Sequence, residues 1–223
     1  KGRVIFPIQS MSGRTLGFGG RILTNDKKAA KYLNSPESDI YHKSDVLYGL
    51  YQAKSVISKE DNCYLVEGYT DVLQFNQSGI INVVSSSGTA LTPNQIRLIN
   101  RLTKNITVLY DGDDAGLRAS IRGIDLILEQ GMNVKVVQFP DGEDPDSFAK
   151  KHSEVALKEY LEEFTLLMDE YGEAVFYQIN PNINKSDILI STSETRFVTF
   201  IDDIYKLIDS KLKITMDYLI KQY

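Results

Sequence analysis

Three acidic segments of this sequence each follow a run of apolar residues. Glu67 comes directly after "CYLV", and Asp71 stands four residues later. A "DGDDAG" turn begins at Asp111 after "ITVLY", and "DGEDPD" at 141–146 follows "NVKVVQF". Carboxylates that gather in one place repel one another, and protonation, cationic side chains or metal ions relieve the repulsion. The types and spacing of these acids therefore indicate a site for a hard divalent cation.

The chemistry of such a site depends on what lies beside it. Carboxylate oxygens in this number suit Mg²⁺ or Mn²⁺, and such an ion next to a basic surface is typical of chemistry on phosphates. Residues 1–45 carry a net charge of +4, which leaves −9 for the rest of a chain whose total is −5. We therefore expect metal-assisted phosphoryl transfer. The simpler alternative is that each acid caps a helix or solvates a turn, which explains single positions well but their convergence poorly.

A mostly parallel sheet is predicted to position the acids. From residue 63 onward, short apolar strands alternate with amphipathic helices, which is typical of a parallel sheet with helices on its faces. The helices are predicted at 70–77, 93–103, 115–129 and 145–152. "TPNQ" at 92–95 is a capping box, and Gly79 and Gly131 lie where helices should stop. Because ligands bind beyond the carboxyl ends of parallel strands, all three acidic segments should lie at one edge.

The two ends of the chain differ from this central region. Residues 3–8 and 14–23 are predicted to form strands, the second interrupted by glycines that indicate a bulge or a close backbone approach. A helix is predicted at 44–57. Beyond about residue 153, apolar residues recur at helical spacing, as at Leu167 and Met168, so a helical region is expected there.

Composition excludes several classes of protein. Apolar residues make up 42% and charged residues 25%, which favours an ordinary folded protein over a disordered or fibrous one. Cys63 is the one cysteine and there are two histidines, so neither an internal disulfide nor a Cys/His zinc site is expected, and a reducing cytoplasmic setting fits best. No stretch approaches the roughly 18 apolar residues of a membrane span. The chain starts at Lys1, and we expect it to be a piece of a longer protein.

Two other interpretations of the turn at Asp111 meet obstacles. An EF-hand loop would need an oxygen ligand at 115 and Glu at 122, where this sequence has Ala115 and Arg122. The aspartate phosphatase pattern also meets Ala115, although its strand-then-DxD context matches. That pattern is the runner-up for this motif.

Seven motifs occur in a single order from residue 3 to about 150: "RVIFPI", "GFGGR", "KYLNSPE", "HKSDVLYGLYQA", "VEGYTDVL", "YDGDDAG" and "PDGEDPD". A strand ending in Glu-Gly with a DxD turn 44 residues later resembles the Toprim domain of topoisomerases, bacterial primases and some nucleases. The complete series resembles the RNA polymerase domain of bacterial DnaG-type primases. The resemblance implies an α/β fold: a partial β-rich N-terminal subdomain at 1–57, a Toprim-type mostly parallel sheet flanked by helices at 58–152, and a helical C-terminal subdomain at 153–223.

The resemblance also implies an activity and its partners. Such an enzyme copies a single-stranded DNA template into a short RNA primer, joining ribonucleoside triphosphates with release of pyrophosphate. It would use Mg²⁺ or Mn²⁺, with zinc expected only in a missing N-terminal domain. A replicative helicase would bind through a region outside these residues, and no membrane is involved.

Site residues follow from the resemblance. The family's metal-binding acids match Glu67, Asp71, Asp111, Asp113, Asp144 and Asp146, and those with catalytic roles match Glu67, Asp111 and Asp113. Residues for template and nucleotide phosphates match Arg21, Lys31, Asn34 and Lys43. Whether Glu67 is a base or a metal ligand stays open, and Asp71 could instead stabilise a helix N-terminus. Glu143 is expected to be a solvated neighbour, and Gly88-Thr89 to be a positioning loop.

Two further classes of function stay open. A Toprim nuclease or topoisomerase would cut DNA, although no nucleophilic tyrosine for a topoisomerase can be identified. A helicase-associated or nucleotide-sensing module would bind metal without turnover. Tyr41, Tyr48 and Tyr51 could stack on bases, but core packing is expected for at least two of them.

Overall fold

The computed structural model describes residues 2–24, 29–88, 90–110, 123–139, 142–163, 165–168 and 174–176. A small antiparallel sheet opens the chain, with strands β1 (Arg3–Gln9), β2 (Thr15–Ile22) and β3 (Tyr32–Asn34) in that order. The register shifts between β1 and β2, since Ile8 pairs with Gly17 and Gln9 with Thr15. The expected bulge therefore lies at Leu16, just before the glycines.

The larger sheet contains four parallel strands. They are β4 (Cys63–Val66), β5 (Val83–Ser85), β6 (Asn105–Tyr110) and β7 (Asn133–Gln138), arranged β5-β4-β6-β7. Two strands extend this sheet beyond β7: β8 (Thr165–Met168) pairs antiparallel with β7, and β9 (Ala174–Phe176) pairs antiparallel with β8. The expected α/β class with a mostly parallel sheet is confirmed.

Helices connect and flank these strands. They are α1 (Leu50–Glu60), α2 (Tyr69–Gln77), α3 (Pro93–Asn100), α4 with its described part at 123–129, α5 (Pro145–Lys151) and α6 (Glu154–Glu163), preceded by a 3₁₀ turn at Lys43–Asp45. Gly79 and Gly131 have φ of 85° and 65° and follow α2 and α4, where the sequence predicted stops. No helix in the described part of the chain is long and apolar enough to cross a membrane.

Two predicted helices are wrong in part. The segment 44–57 is not one helix, because Val46 is extended and Gly49 adopts a left-handed φ of 84° before α1 begins at Leu50. The helical spacing after residue 153 predicts α6 but fails at Leu167 and Met168, which lie on β8. Pairing with β7 offers this segment hydrogen bonds that its own sequence pattern does not reveal. Residues 177–223 of the expected helical region lie outside the described residues.

Apolar side chains cover both faces of the larger sheet. On one face, α1, α3 and α4 pack through residues such as Ile57, Ile99 and Ile127, all fully buried. On the other face, α2, α5 and α6 pack through residues such as Phe75 and Leu157. Burial on both faces is typical of a parallel sheet. The parallel pairing of β5, β4, β6 and β7 brings their carboxyl ends to one edge.

A third apolar cluster joins the two sheets. Phe6 and Ile8 of the small sheet pack with Tyr41 and with Tyr69, the first residue of α2. The rings of Phe6 and Tyr69 are stacked with centroids 4.9 Å apart. The small sheet is therefore held against the helix that follows β4.

Candidate active site

A cavity of about 640 Å³ lies between the small sheet and the carboxyl ends of β4 and β5. It is lined by four residues predicted to bind phosphates, namely Arg21, Lys31, Asn34 and Lys43. It is also lined by four predicted metal-binding acids, Glu67, Asp71, Asp144 and Asp146. The structure thus brings together, around one cavity, every predicted site residue that it describes.

Glu67 and Asp71 form the acidic wall of the cavity together with Asp144 and Asp146. Glu67 follows the last residue of β4, and Asp71 is the third residue of α2. Oδ2 of Asp71 accepts a hydrogen bond from the backbone N–H of Gly68 at 2.8 Å. Asp71 therefore caps its helix and also faces the cavity, so the two roles weighed for it are compatible.

The carboxyl group of Asp71 responds to its neighbours. Burial raises its pKa, and the charges of Asp144 and Asp146 raise it further, against the lowering effect of the Gly68 N–H. Such mutual repulsion between oxygen donors is what a bound divalent cation would relieve. The donor set therefore suits Mg²⁺ or Mn²⁺, although the described residues alone contain no group of three or more His, Cys, Asp or Glu arranged to hold a metal ion.

Asp144 and Asp146 reach the cavity from the start of α5. Asp144 is the N-cap, and its Oδ1 accepts from the backbone N–H of Ser147 at 2.6 Å. Asp146 pairs with Lys150 one turn later, at 2.5 Å. The helix cap thus fixes the backbone of the acid-bearing turn, while the pairing with Lys150 draws one carboxylate toward a protein cation.

Glu143 has protein partners that were not expected from the sequence. It was expected to be a solvated neighbour, but its carboxylate pairs with Lys151 and accepts a hydrogen bond from the Ser147 hydroxyl at 2.5 Å. The hydrogen bonds from Lys151 and Ser147 lower its pKa. Glu143 therefore ties the start of α5 to its last residue.

Arg21, Lys31 and Lys43 form the basic wall. The guanidinium of Arg21 lies 5.6 Å from the centre of the Tyr32 ring, and the ammonium of Lys31 lies 6.0 Å from it. Among the described residues, none of the three cations forms an ion pair with a carboxylate. Three positive charges on one side of the cavity favour an anion there.

Asn34 connects the two walls through hydrogen bonds. Its Oδ1 accepts from the hydroxyl of Tyr69 at 2.8 Å, and its Nδ2 donates to the carbonyl of Ser87 at 3.1 Å. Ser87 has a left-handed φ of 60°, and its N–H donates to the carbonyl of Glu67 at 3.1 Å. The loop after β5 is thereby fixed between β3 and the end of β4.

Sequence reasoning missed two residues of this region. Tyr69 was part of a quoted motif, yet its hydroxyl contact with Asn34 depends on a residue 35 positions away. Gln95 was recognised only as part of a capping box, although its side chain is fully buried.

Of the three tyrosines considered for stacking, Tyr41 is buried and Tyr48 packs against the same cluster, as expected, while Tyr51 is 37% exposed.

Three other predicted residues lie outside the described residues. They are Asp111 and Asp113, between β6 and α4, and Thr89, which follows the described Gly88. Gly88 itself lines the cavity. The metal-binding and catalytic roles assigned to the six acids, and the phosphate-binding roles assigned to the other four residues, stay predictions.

Comparisons with known proteins match both parts of the chain. A Toprim-like family model matches residues 64–149, and a model described as the DNA primase catalytic core, N-terminal domain, matches residues 1–54. The DNA primase of Clostridium acetobutylicum is 39% identical over 210 residues, which cover 94% of this chain and 33% of that protein. The chain spans about a third of the length of such curated relatives.

Solved structures agree with these matches. A DNA primase domain from Pseudomonas aeruginosa is 40% identical with a TM-score of 0.71, covering 77% of this chain and 54% of that chain. A DnaG primase catalytic domain bound to ssDNA is 43% identical with a TM-score of 0.66, covering 72% of this chain and 51% of that chain. The sequence matches and the shared architecture lead to one assignment: the chain belongs to the family of bacterial DnaG-type DNA primases.

Proposed function

We propose that these residues form the catalytic core of a primase, which synthesises short RNA primers on single-stranded DNA from ribonucleoside triphosphates. The observation that carries the proposal is the cavity in which a basic wall faces an acidic wall. Membership of the DnaG-type family and the ssDNA bound to a relative support it. The enzyme would act in the cytoplasm as a nucleotidyltransferase, with the replicative helicase bound through another region.

The basic wall would bind phosphates. Lys31 and Lys43 act as point charges, and the planar guanidinium of Arg21 can donate two parallel hydrogen bonds to one phosphate. Tyr32 lies beside two of these cations and limits the positions that their long side chains can adopt. An incoming triphosphate and the template backbone are the anions that we assign to this wall.

The acidic wall would hold Mg²⁺ or Mn²⁺. We assign Glu67, Asp71, Asp144 and Asp146 as ligands, joined by Asp111 and Asp113. Bound there, divalent ions would lower the pKa of the primer 3′ hydroxyl and neutralise charge on the triphosphate. The 3′ hydroxyl would give its proton to a base, either Glu67 or a solvent water, and its oxygen would form a bond to the α-phosphorus. The bond from that phosphorus to the bridging oxygen would break, which releases pyrophosphate.

The test is primer synthesis by the complete natural protein. We expect ribonucleotide incorporation on single-stranded DNA that requires Mg²⁺ or Mn²⁺ and is lost in Asp111→Ala and reduced at least 100-fold in Glu67→Gln, the lower range for loss of a group acting on a proton or a metal. Glu60→Gln, an exposed acid at the end of α1, is the matched control and should retain activity.

Other outcomes would contradict the proposal in distinct ways. Retained synthesis in Asp111→Ala would exclude the proposed site. Cleavage of DNA without incorporation would favour a Toprim nuclease or topoisomerase. Binding of divalent ions and nucleotide by calorimetry with no product of either kind would favour a module that senses nucleotides.

A further inference from the structure

The turn that carries Lys43 has little stability of its own. It is a single 3₁₀ turn, Lys43–Asp45, with no side-chain cap at its start, and Val46 after it is already extended. One turn of this kind fixes several backbone dihedrals for few internal hydrogen bonds, so its own hydrogen bonds cannot hold it. The position of Lys43 in the cavity must therefore depend on contacts from elsewhere.

Those contacts come from the first turn of α3. Nε2 of Gln95 donates to the carbonyl of Lys43 at 3.0 Å and to the carbonyl of Val46 at 2.8 Å, which bracket the 3₁₀ turn. The hydroxyl of Thr92 donates to the carbonyl of Ser44 at 2.6 Å. The start of α3 thus donates hydrogen bonds to three of the four backbone carbonyl groups in residues 43–46.

Gln95 is suited to this task because of its burial and its cap. The side chain is fully buried, and its Oε1 accepts from the backbone N–H of Thr92 at 3.1 Å, which completes the capping box. All the hydrogen-bonding groups of the amide are therefore used, the acceptor on its own helix and the donors on the Lys43 turn. A buried amide with each group satisfied adopts one orientation, since any other leaves polar atoms unpaired.

A fourth contact involves side chains only. Nδ2 of Asn94 donates to Oδ1 of Asp45 at 2.8 Å, and this bond is exposed. The backbone N–H of Lys43 in turn donates to the carboxylate of Glu37 at 3.0 Å. The peptide groups on both sides of Lys43 are therefore fixed, while its ammonium forms no ion pair among the described residues.

We propose that Gln95 is a positioning residue for Lys43: the start of α3 holds the Lys43 turn so that the ammonium meets an anionic phosphate of the bound nucleotide. Gln95 does not line the cavity, so it acts through Lys43 and not on the ligand. The inference rests on the proposed function. It adds a second role for a capping box that otherwise only begins a helix.

The test is a double-mutant cycle in the complete natural protein, with the KM for ribonucleoside triphosphates, kcat and the melting temperature measured for each variant. Gln95→Met keeps the length of the side chain but removes the donors to the Lys43 turn and the acceptor of the capping box. We expect Lys43→Ala to raise KM about tenfold and Gln95→Met about threefold to tenfold. In the Lys43→Ala background, Gln95→Met should raise KM less than twofold, because coupled residues are not additive.

Two variants separate positioning from loss of stability. Ile99→Ala removes a fully buried side chain from the same helix and should lower the melting temperature without changing KM. Asn94→Ala, at an exposed position, removes the bond to Asp45 and a bond that Asn94 accepts from Arg97 of the same helix. It should raise KM by a smaller factor and serves if Gln95→Met does not fold.

The outcomes distinguish this inference from the proposed function. Equal KM increases from Gln95→Met with and without Lys43, or an unchanged KM in Gln95→Met and Asn94→Ala, would overturn the positioning role while leaving primer synthesis intact. An unchanged KM in Lys43→Ala would overturn the role of Lys43 and the inference together. Absence of primer synthesis in the natural protein would overturn the proposed function and this inference with it.

Discussion

The ring of Tyr69 lies directly against the backbone of Gly19: a Cβ at Gly19 would fall 2.5 Å from Cζ of the ring. The ring cannot move aside freely, because Phe6 is stacked on it and the ring of Tyr48 meets it edge to face with centroids 4.8 Å apart. The glycine-rich strand thus permits a close approach between the small sheet and α2.

Gly19→Ala should lower the free energy of unfolding by about 1–3 kcal/mol, the usual cost of overpacking a filled core. Urea unfolding of the two proteins would measure the difference. Gly20→Ala is the matched control, because the nearest atom to its Cβ would be Cδ of Arg3 at 3.3 Å, which requires a shift of only a few tenths of an ångström. Equal losses from the two substitutions would show that the Tyr69 contact is not what requires glycine.

Tyr69→Phe should weaken nucleotide binding through Asn34. Removing the hydroxyl leaves Oδ1 of Asn34 without its donor, which costs about 0.5–1.5 kcal/mol for an ordinary hydrogen bond and loosens the amide that contacts Ser87. The measurement is KM for ribonucleotides beside the melting temperature. Tyr48→Phe, in the same aromatic cluster, should leave KM unchanged. A rise in KM of the same size in both variants would contradict a role for the Tyr69 hydroxyl.

Lys31→Ala should weaken binding to single-stranded DNA equally for all sequences. A lysine on one phosphate releases counterions when it binds, so its loss should reduce the slope of log K against log salt by about 0.7. Fluorescence anisotropy at several salt concentrations would measure the slope. Lys59→Ala removes the same charge at the end of α1, where its ammonium pairs with Glu60, and should leave the slope intact. An unchanged slope in Lys31→Ala would remove Lys31 from the phosphate-binding wall.

Glu67→Gln should behave as the loss of a metal ligand. Replacing a carboxylate by an amide removes one charge from the acidic wall, so the Mg²⁺ concentration for half-maximal activity should rise about tenfold or more. Calorimetric titration of Mg²⁺ into the variant should show the same weakening without any turnover. If metal binding is unchanged while the pH dependence of kcat loses a limb, Glu67 is instead the base.

Cys63 should be inert in the folded protein. Its thiol is fully buried, and burial raises its pKa, so almost no thiolate forms near neutral pH. A thiol reagent should therefore label the protein only at the rate at which unfolding exposes Cys63 on β4. In the unfolded chain the thiol ionises near pH 8.5, so its contribution to the free energy of unfolding is present below about pH 8.5 and declines as the pH rises further.

Unfolding in urea at about pH 7 and about pH 9.5 checks this sign. Cys63→Ala removes the contribution and should lose less stability between the two pH values than the natural protein. Fast labelling of the folded protein, or equal pH dependence in the variant, would contradict the burial of Cys63.

The parallel strands could be predicted from the sequence because each is a short apolar run followed by polar residues. A strand that is buried on both faces has this apolar pattern in its own sequence, so the pattern can be recognised without knowing the rest of the fold. The start of α3 was also predictable, since a capping box and a proline at the first helical position act within four residues.

Elements that depend on distant partners could not be predicted in the same way. β3 is three residues long within a polar stretch, and its hydrogen bonds come from β2. Leu167 and Met168 fit a helical pattern, yet their backbone pairs with β7 as a strand of the larger sheet. Strand preference is largely a matter of neighbours, which a local pattern does not contain.

The candidate site also combines features that local sequence predicts with contacts that depend on distant residues. Which acids follow strands can be seen in the sequence, and their arrival at one edge follows from parallel topology. The pairing of Glu143 with Lys151 and the contact of Gln95 with the Lys43 turn depend on how α5 and α3 are placed. These contacts become visible only when the helices are in position.

The hydrogen bond from Gln95 to Lys43 spans 52 residues of sequence. During synthesis the lysine therefore leaves the ribosome well before the glutamine that will hold it, and two strands and two helices must be added in between. Closing a loop of this length has an entropic cost that later packing must offset. The cavity should accordingly form late, because a nascent chain that ends before α3 lacks both the helix that holds the Lys43 turn and β6, the strand between β4 and β7 in the larger sheet.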